Sequence, residues 1–174
     1  MTTSILNPQA LVLGRFQPLH RGHLHLLKTA FSECDEVVVC IGSAQLADPF
    51  TVSERHHQLN LLLEQINPSH NWRIVDLEDP TPMLIWPQYV DQYCQMQPTN
   101  KVFYRSDPLG PEDGASLHSL GYTLRYLERI SFSYLFPDGI WRNVSSATEI
   151  KEIYKDLGVP LRKYNPPIGT SNDH

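Results

Sequence analysis

Residues 37–41, Val-Val-Val-Cys-Ile, form an unbroken apolar run, mostly β-branched, closed by Gly42. A strand with water on one face alternates apolar and polar side chains. A strand that is apolar throughout is buried on both faces, as happens inside a parallel sheet covered by helices. The neighbouring segments agree. Residues 10–13 are a second short apolar run, ending at Gly14. After a loop over residues 15–21, Leu24, Leu27 and Phe31 recur at helical spacing.

The alternation continues along the chain. Thr51 and Glu54 make a Thr-x-x-Glu capping box, Leu59, Leu62, Leu63 and Ile66 then share one helical face, and Asn67-Pro68 stops the helix. Residues 72–77 read as a third strand and residues 101–104 as a fourth. A helix is expected over 87–97, with Pro87 tolerable only near its first turn, so Trp86 stands at the entrance. Residues 105–143 are the least patterned; 121–126 and 130–136 are candidate strands. Order returns at Ser146-x-x-Glu149, a second capping box, followed by Ile150, Ile153, Tyr154 and Leu157 on one face. Gly158 and Pro160 end that helix. Strand and helix in alternation predict an α/β fold: a Rossmann-like, doubly wound parallel sheet of about five strands with helices on both faces. Ligands of such sheets bind at the carboxyl ends of the strands. One domain over 1–160 and an irregular tail over 161–174 are expected.

Composition removes several functional classes. The chain has 174 residues, enough for one core, with 14 Lys and Arg against 19 Asp and Glu, a net charge of -5. Broad nucleic-acid binding needs a basic face, so no nucleic-acid partner is expected. No apolar stretch has the roughly 20 residues of a membrane helix. The N-terminus lacks a basic start and is interrupted by Asn7-Pro8, unlike a secretory signal. Cys34, Cys40 and Cys94 are too scattered for a disulfide framework or a zinc site. The expected compartment is cytoplasmic.

The segment richest in chemistry is Gly14-Arg15-Phe16-Gln17-Pro18-Leu19-His20-Arg21-Gly22-His23, at the junction of the first strand and first helix. A helix N-terminus presents free N–H groups and a partial positive charge. Gly22 lets backbone approach a ligand, and two imidazoles with Arg15 and Arg21 add donors. The residues by themselves read as a phosphate site. They are also compatible with metal-ligating histidines, although no Cys, Asp or Glu follows to complete a set, or with histidines on an ordinary turn.

This segment resembles the His-x-Gly-His signature of the nucleotidyltransferase superfamily. The longer string Gly-Arg-Phe-Gln-Pro-x-His-x-Gly-His is similar to the archaeal-type nicotinamide-nucleotide adenylyltransferases. Two further matches follow in order. Residues 41–45 (Ile-Gly-Ser-Ala-Gln) with Pro49-Phe50-Thr51 and Glu54-Arg55 resemble the family's loop after the second strand. Residues 145–151 (Ser-Ser-Ala-Thr-Glu-Ile-Lys) resemble its C-terminal Ser-x-Thr-x-Ile-Arg motif. Trp86 is a fourth point of resemblance.

The resemblance implies transfer of AMP from ATP to nicotinamide mononucleotide, giving NAD and pyrophosphate. Mg²⁺ would be carried with ATP, with no protein metal ligand. It implies that His20, His23, Arg15 and Lys151 act in catalysis. The ATP site would comprise Gly14, Arg15, Phe16, Gln17, His20, Gly22, His23, Ser146, Thr148 and Lys151. The mononucleotide site would comprise Gly42, Ser43, Ala44, Phe50, Arg55 and Trp86. Read from the residues alone, Arg55 is equally suited to an acidic partner, Ser146 and Thr148 to capping, and Trp86 to a partly buried core position. Family members often assemble, so a homo-oligomer is expected. Two departures stand out. Lys151 replaces the usual Arg and offers a point charge instead of a planar fork. Arg105-Ser106-Asp107-Pro108 replaces a small Ser-Gly-Asn-Pro-like turn, and 109–143 is longer than its counterpart. Two other readings follow: a nucleotidyltransferase for another acceptor, such as nicotinate mononucleotide, or a weakly active NAD- or ATP-binding sensor.

Overall fold

The computed structural model describes residues 7–69, 71–80 and 86–163. Five parallel strands make the central sheet: β1 (Gln9–Gly14), β2 (Glu36–Ile41), β3 (Trp72–Asp76), β4 (Lys101–Arg105) and β5 (Tyr122–Tyr126). Their order across the sheet is β3-β2-β1-β4-β5. The chain therefore moves outward on one side of β1, then returns to the other side through β4. The point of reversal lies beside the carboxyl end of β1, where doubly wound sheets open a crevice.

The pleat of β1 and β2 divides the core. Ala10, Val12, Val37 and Val39 face α1 (Arg21–Glu33) and α2 (Val52–Ile66), meeting Leu27, Leu59 and Leu63. Leu11, Val38 and Cys40 face the opposite layer, α3 (Trp86–Tyr93) and α4 (Pro111–Ser119), meeting Val90, Cys94 and Leu117. Residues 37–41 are thus buried from both sides, as an apolar run without alternation requires.

A third apolar cluster stands apart. An antiparallel hairpin, β6 (Phe132–Leu135) and β7 (Trp141–Val144), packs Phe132, Tyr134 and Val144 against Ile150 and Tyr154 of α5 (Ala147–Asp156). The strand expected at 130–136 is therefore β6, outside the parallel sheet. The helix expected over 87–97 runs Trp86–Tyr93, because Gln95 takes a left-handed conformation (φ 49°) and turns the chain out. Residues 161–163 form a short 3-10 turn that seats Leu161 in the third cluster; the rest of the tail lies outside the described residues.

Candidate active site

Helix α1 begins with a capping box built from two histidines. His20, the N-cap, accepts a hydrogen bond at Nδ1 from the Gly22 N–H (3.1 Å). His23, three residues on, accepts at Nδ1 from the His20 N–H (3.2 Å). Ser or Thr with Glu does this work in ordinary helices. Here the consequence is chemical. A nitrogen that accepts a backbone N–H carries no proton, so each neutral ring holds its proton on Nε2, and both rings line a cavity.

The two rings stack with centroids 3.8 Å apart. Phe132 stacks on His20 at 4.9 Å and Phe16 tilts against His23 at 4.8 Å. Enclosure by apolar rings disfavours the charged imidazolium. Burial, and then the charge of Arg129, lowers the His20 pKa from 6.5 to about 4. Burial, and then His20, lowers His23 well below its ordinary value. Both are neutral Nε2–H donors near neutral pH. The glycine between them has a steric reason. A Cβ at Gly22 would sit 2.8 Å from Cε1 and 2.9 Å from Nδ1 of His20.

A second helix start faces the first. Ser146 is the N-cap of α5, and its Oγ accepts from the Glu149 N–H (3.3 Å). The expected reciprocal bond differs by one residue. Glu149 accepts from the N–H (2.8 Å) and Oγ (2.9 Å) of Ser145, not from Ser146. Ser145, Ser146, Ala147 and Thr148 border the same cavity of about 360 Å³ as His20, Gly22 and His23. Gly14 at the end of β1 and Phe16 just beyond it line the cavity. Its far wall is Arg105 at the end of β4, Ser106 and Asp107 after it, and Glu128, Arg129 and Ile130 after β5. Phe132 and residues 128–130 escape the sequence reading as site residues, and Arg105, Ser106 and Asp107 enter it only as a departure from the family's turn. The alternation of buried Phe132, Tyr134 and Phe136 was the available signal for Phe132.

A smaller cavity of about 190 Å³ lies across β1, lined by Leu13, Gly14, Arg15, Gly42, Ser43, Trp86 and residues 77–80. Leu13 and Gly14 belong to both cavities. Trp86 serves the core as well as the cavity, its ring edge-on to Phe103 at 6.1 Å. Asp79 fastens the floor, accepting from Ser43 Oγ (2.9 Å) and Gln45 Nε2 (2.6 Å). Lys151 stands close enough to Arg15 for the two charges to repel. Burial first, and Arg15 second, hold its ammonium pKa below the usual value. Neither side chain has a salt-bridge partner among the described residues. Two cations within electrostatic reach of each other, neither of them in a salt bridge, suit an anionic ligand.

Five expected site residues line neither cavity: Lys151, Arg55, Phe50, Gln17 and Ala44. Arg55 is fully buried, beneath the smaller cavity and not in it. Its guanidinium donates to the carbonyls of Arg15 (3.2 Å), Gly42 (3.0 Å), Ser43 (3.1 Å) and Leu46 (3.1 Å); it lines neither cavity, and the charge of Asp76 reaches it only at a distance. Those carbonyls flank Phe16 and Ser43, whose φ of 52° and 50° are left-handed and costly without glycine. Arg55 is the tie that holds both loops in shape. Phe50 is buried in the third apolar cluster, and Gln17 is buried without lining either cavity. Ala44 contributes backbone, its N–H donating to Leu77 O at 2.9 Å. Among the described residues, no three His, Cys, Asp or Glu side chains gather as a metal cage. The acidic groups of the larger cavity are Asp107 and Glu128.

Among curated proteins, the nicotinamide-nucleotide adenylyltransferase of Picrophilus torridus is 37% identical over 105 residues, which is 58% of this chain and 60% of that protein. The enzyme of that name from Aeropyrum pernix is 42% identical over 85 residues, 46% of this chain and 49% of that protein. The chain spans about half to three fifths of the length of the curated relatives it matches. Among solved structures, a bifunctional NMN adenylyltransferase/ADP ribose pyrophosphatase from Francisella tularensis shares the fold. It has a TM-score of 0.61 and 17% identity, over 93% of this chain and 46% of that one. The family model described as Cytidylyltransferase-like matches residues 11–153, from β1 through both helix starts of the larger cavity, and the chain belongs to that family.

Proposed function

We propose that this protein transfers the adenylyl group of ATP to the phosphate of nicotinamide mononucleotide, forming NAD and pyrophosphate. The observation that carries the reading is the meeting of two cavities at Gly14, one bordered by two helix N-termini and paired neutral histidines, the other by Trp86 and small residues. The names of the curated relatives support it. A phosphate oxygen of the mononucleotide forms a new bond to the α-phosphorus of ATP. The bond from that phosphorus to the β-bridging oxygen breaks, and pyrophosphate leaves. The attacking oxygen is already ionised, so no general base is required. The protein's part is alignment and charge compensation.

In this reading ATP lies over β1, β4 and the starts of α1 and α5. His20 and His23 donate from Nε2, and Ser146, Thr148 and the free N–H groups of α5 hold phosphate. Arg15 lines the smaller cavity beside the junction where the new bond forms, and Lys151 lies within electrostatic reach of it. The mononucleotide occupies the smaller cavity, its ring against Trp86, on loops set by Arg55. Mg²⁺ would come with the triphosphate as part of the substrate and would offset its charge. ATP and the mononucleotide are the partners, the cytoplasm the expected compartment and a homo-oligomer the expected assembly, which light scattering reads directly. Among the described residues no helix is long and apolar enough to cross a membrane.

The test is NAD formation by purified protein from ATP, nicotinamide mononucleotide and Mg²⁺. Nicotinate mononucleotide, phosphopantetheine and polyol phosphates are run beside it. Absence of NAD at millimolar substrates would sink the proposal, and a faster rate with another acceptor would reassign the smaller cavity.

A further inference from the structure

The far wall of the larger cavity contains an ion pair that the histidine and α5 motifs do not account for. Arg129, beyond β5, donates from Nε to Asp107 Oδ1 (2.9 Å) and from Nη2 to Oδ2. Asp107 stands just beyond β4, so the pair bridges two loops at the carboxyl edge of the sheet. Both side chains are about half exposed, at 45% and 51%. An exposed pair of this kind contributes little to folding, so stability is a poor reason for placing it in a binding cavity. Its geometry suggests another use. The two-pronged bond lays the planar guanidinium along the wall, and that same fork fits phosphate oxygens.

Arg129 is also within electrostatic reach of both helix starts. Its charge helps depress His20 at the head of α1 and Glu149 in the first turn of α5. Arg15 lines the smaller cavity, so fixed cations stand on both sides of the Gly14 junction. Resting on the adenylyltransferase reading of this site, we propose that Arg129 binds the polyphosphate of ATP and that Asp107 keeps its place until the nucleotide arrives. Asp107 presents two oxygens and one negative charge, as a phosphate does. The triphosphate brings more charge and more acceptors, and takes over the guanidinium.

A placeholder and a structural brace predict different signs. The experiment measures binding of ATP with Mg²⁺, and of AMP, by calorimetry, together with KM for both substrates. It uses the wild type, Arg129→Gln, Asp107→Asn and the double variant. Arg129→Gln weakens ATP by about tenfold or more, with AMP and the mononucleotide nearly unchanged. Asp107→Asn frees the guanidinium and tightens ATP about two- to fivefold. The double variant behaves like Arg129→Gln, because Asp107 acts only through Arg129. If the two single variants weaken ATP alike, the pair is a brace and the proposal is overturned. Unchanged ATP affinity in Arg129→Gln overturns it equally. A wild type that binds no ATP removes the adenylyltransferase reading itself, before any variant is compared.

Discussion

The Nδ1 of His23 accepts the N–H of His20 across 3.2 Å, so the residue that completes the helix cap also has its tautomer fixed by that cap. Protonating either ring would place a hydrogen where a backbone N–H already points. Folded-state pKa values lie below the unfolded 6.5, so the unfolded chain binds more protons between that value and the folded one. Stability from these rings is complete above about pH 6.5 and falls as pH drops below it, the His20 share being lost as pH falls toward about 4. The expected outcome is an NAD-forming rate without an acid limb at 6.5 from these rings. Ring NMR should show Nε2–H tautomers through the neutral range. A histidine titrating near 6.5 at either position would contradict this.

Capping and catalysis can be separated at His23. Gln is a usual N3 residue of a capping box, and its carbonyl can accept the His20 N–H. His23→Gln should keep the melting temperature close to wild type while lowering kcat about 10²-fold or more, the usual loss when one preorganised donor to a developing charge is removed. His23→Ala should lose stability as well, by about 1 kcal/mol. Thermal melts beside steady-state rates distinguish the two. Equal losses of rate and stability in both variants would make His23 a structural residue only.

Arg55 tests the tie between loops. Arg55→Lys retains charge but not the fork that reaches four carbonyls. It should destabilise the fold by about 2–3 kcal/mol, because buried carbonyls lose their donors. It should also raise KM for the mononucleotide more than for ATP, since Gly42 and Ser43 line the smaller cavity and not the larger. Chemical denaturation and the two KM values measure these effects. Equal KM changes would place the strain elsewhere.

How legible the site was depended on whether a residue's role was local. The Thr51–Glu54 box and the burial of residues 37–41 are settled within a turn or a strand, and the sequence shows them; it marks His20, Gly22 and His23 at the first helix start but not the capping bonds they make. Arg55 was misplaced because its partners are carbonyls, and a carbonyl leaves no trace in residue identity. Helix α4 was unseen because Leu117 is its single buried residue; Pro111 at the first turn with Glu112 and Asp113 was its only mark. Strand β7 buries Val144 alone, so alternation could not reveal it. The Arg129–Asp107 pair joins the ends of two neighbouring strands, and depends on a sheet order that no single motif encodes.

Lys151 carries the departure from the expected arginine. Its ammonium is partly buried and within electrostatic reach of Arg15, and the mutual repulsion favours a nearby anion. Lys151→Ala should reduce kcat/KM about 10²-fold without a large change in melting temperature. Lys151→Arg should match or exceed wild type, since a fork makes two bonds to phosphate where an ammonium acts as a point. If wild type binds NAD tightly without turnover and Lys151→Arg gains a rate, the chain is a sensor.

Lys101 provides a control at the other end of the sheet. It is the first residue of β4, away from the carboxyl edge that carries both cavities. Its ammonium is 2% exposed, donates to Asp91 Oδ1 at 2.8 Å and lies 4.4 Å from the centre of the Tyr122 ring. Tyr122 donates to the same oxygen at 2.7 Å. Lys101→Met fills the space but leaves Asp91 with only the phenol to answer its charge. Breaking one partner of a buried pair costs about 3 kcal/mol or more. The variant should melt several degrees lower and, below its transition, show wild-type KM for both substrates. Adding Asp91→Asn should restore part of the loss, because the orphaned charge goes with it. A changed KM at moderate temperature would show that the amino end of β4 is coupled to the cleft, and would refute the separation of fold support from chemistry along this strand.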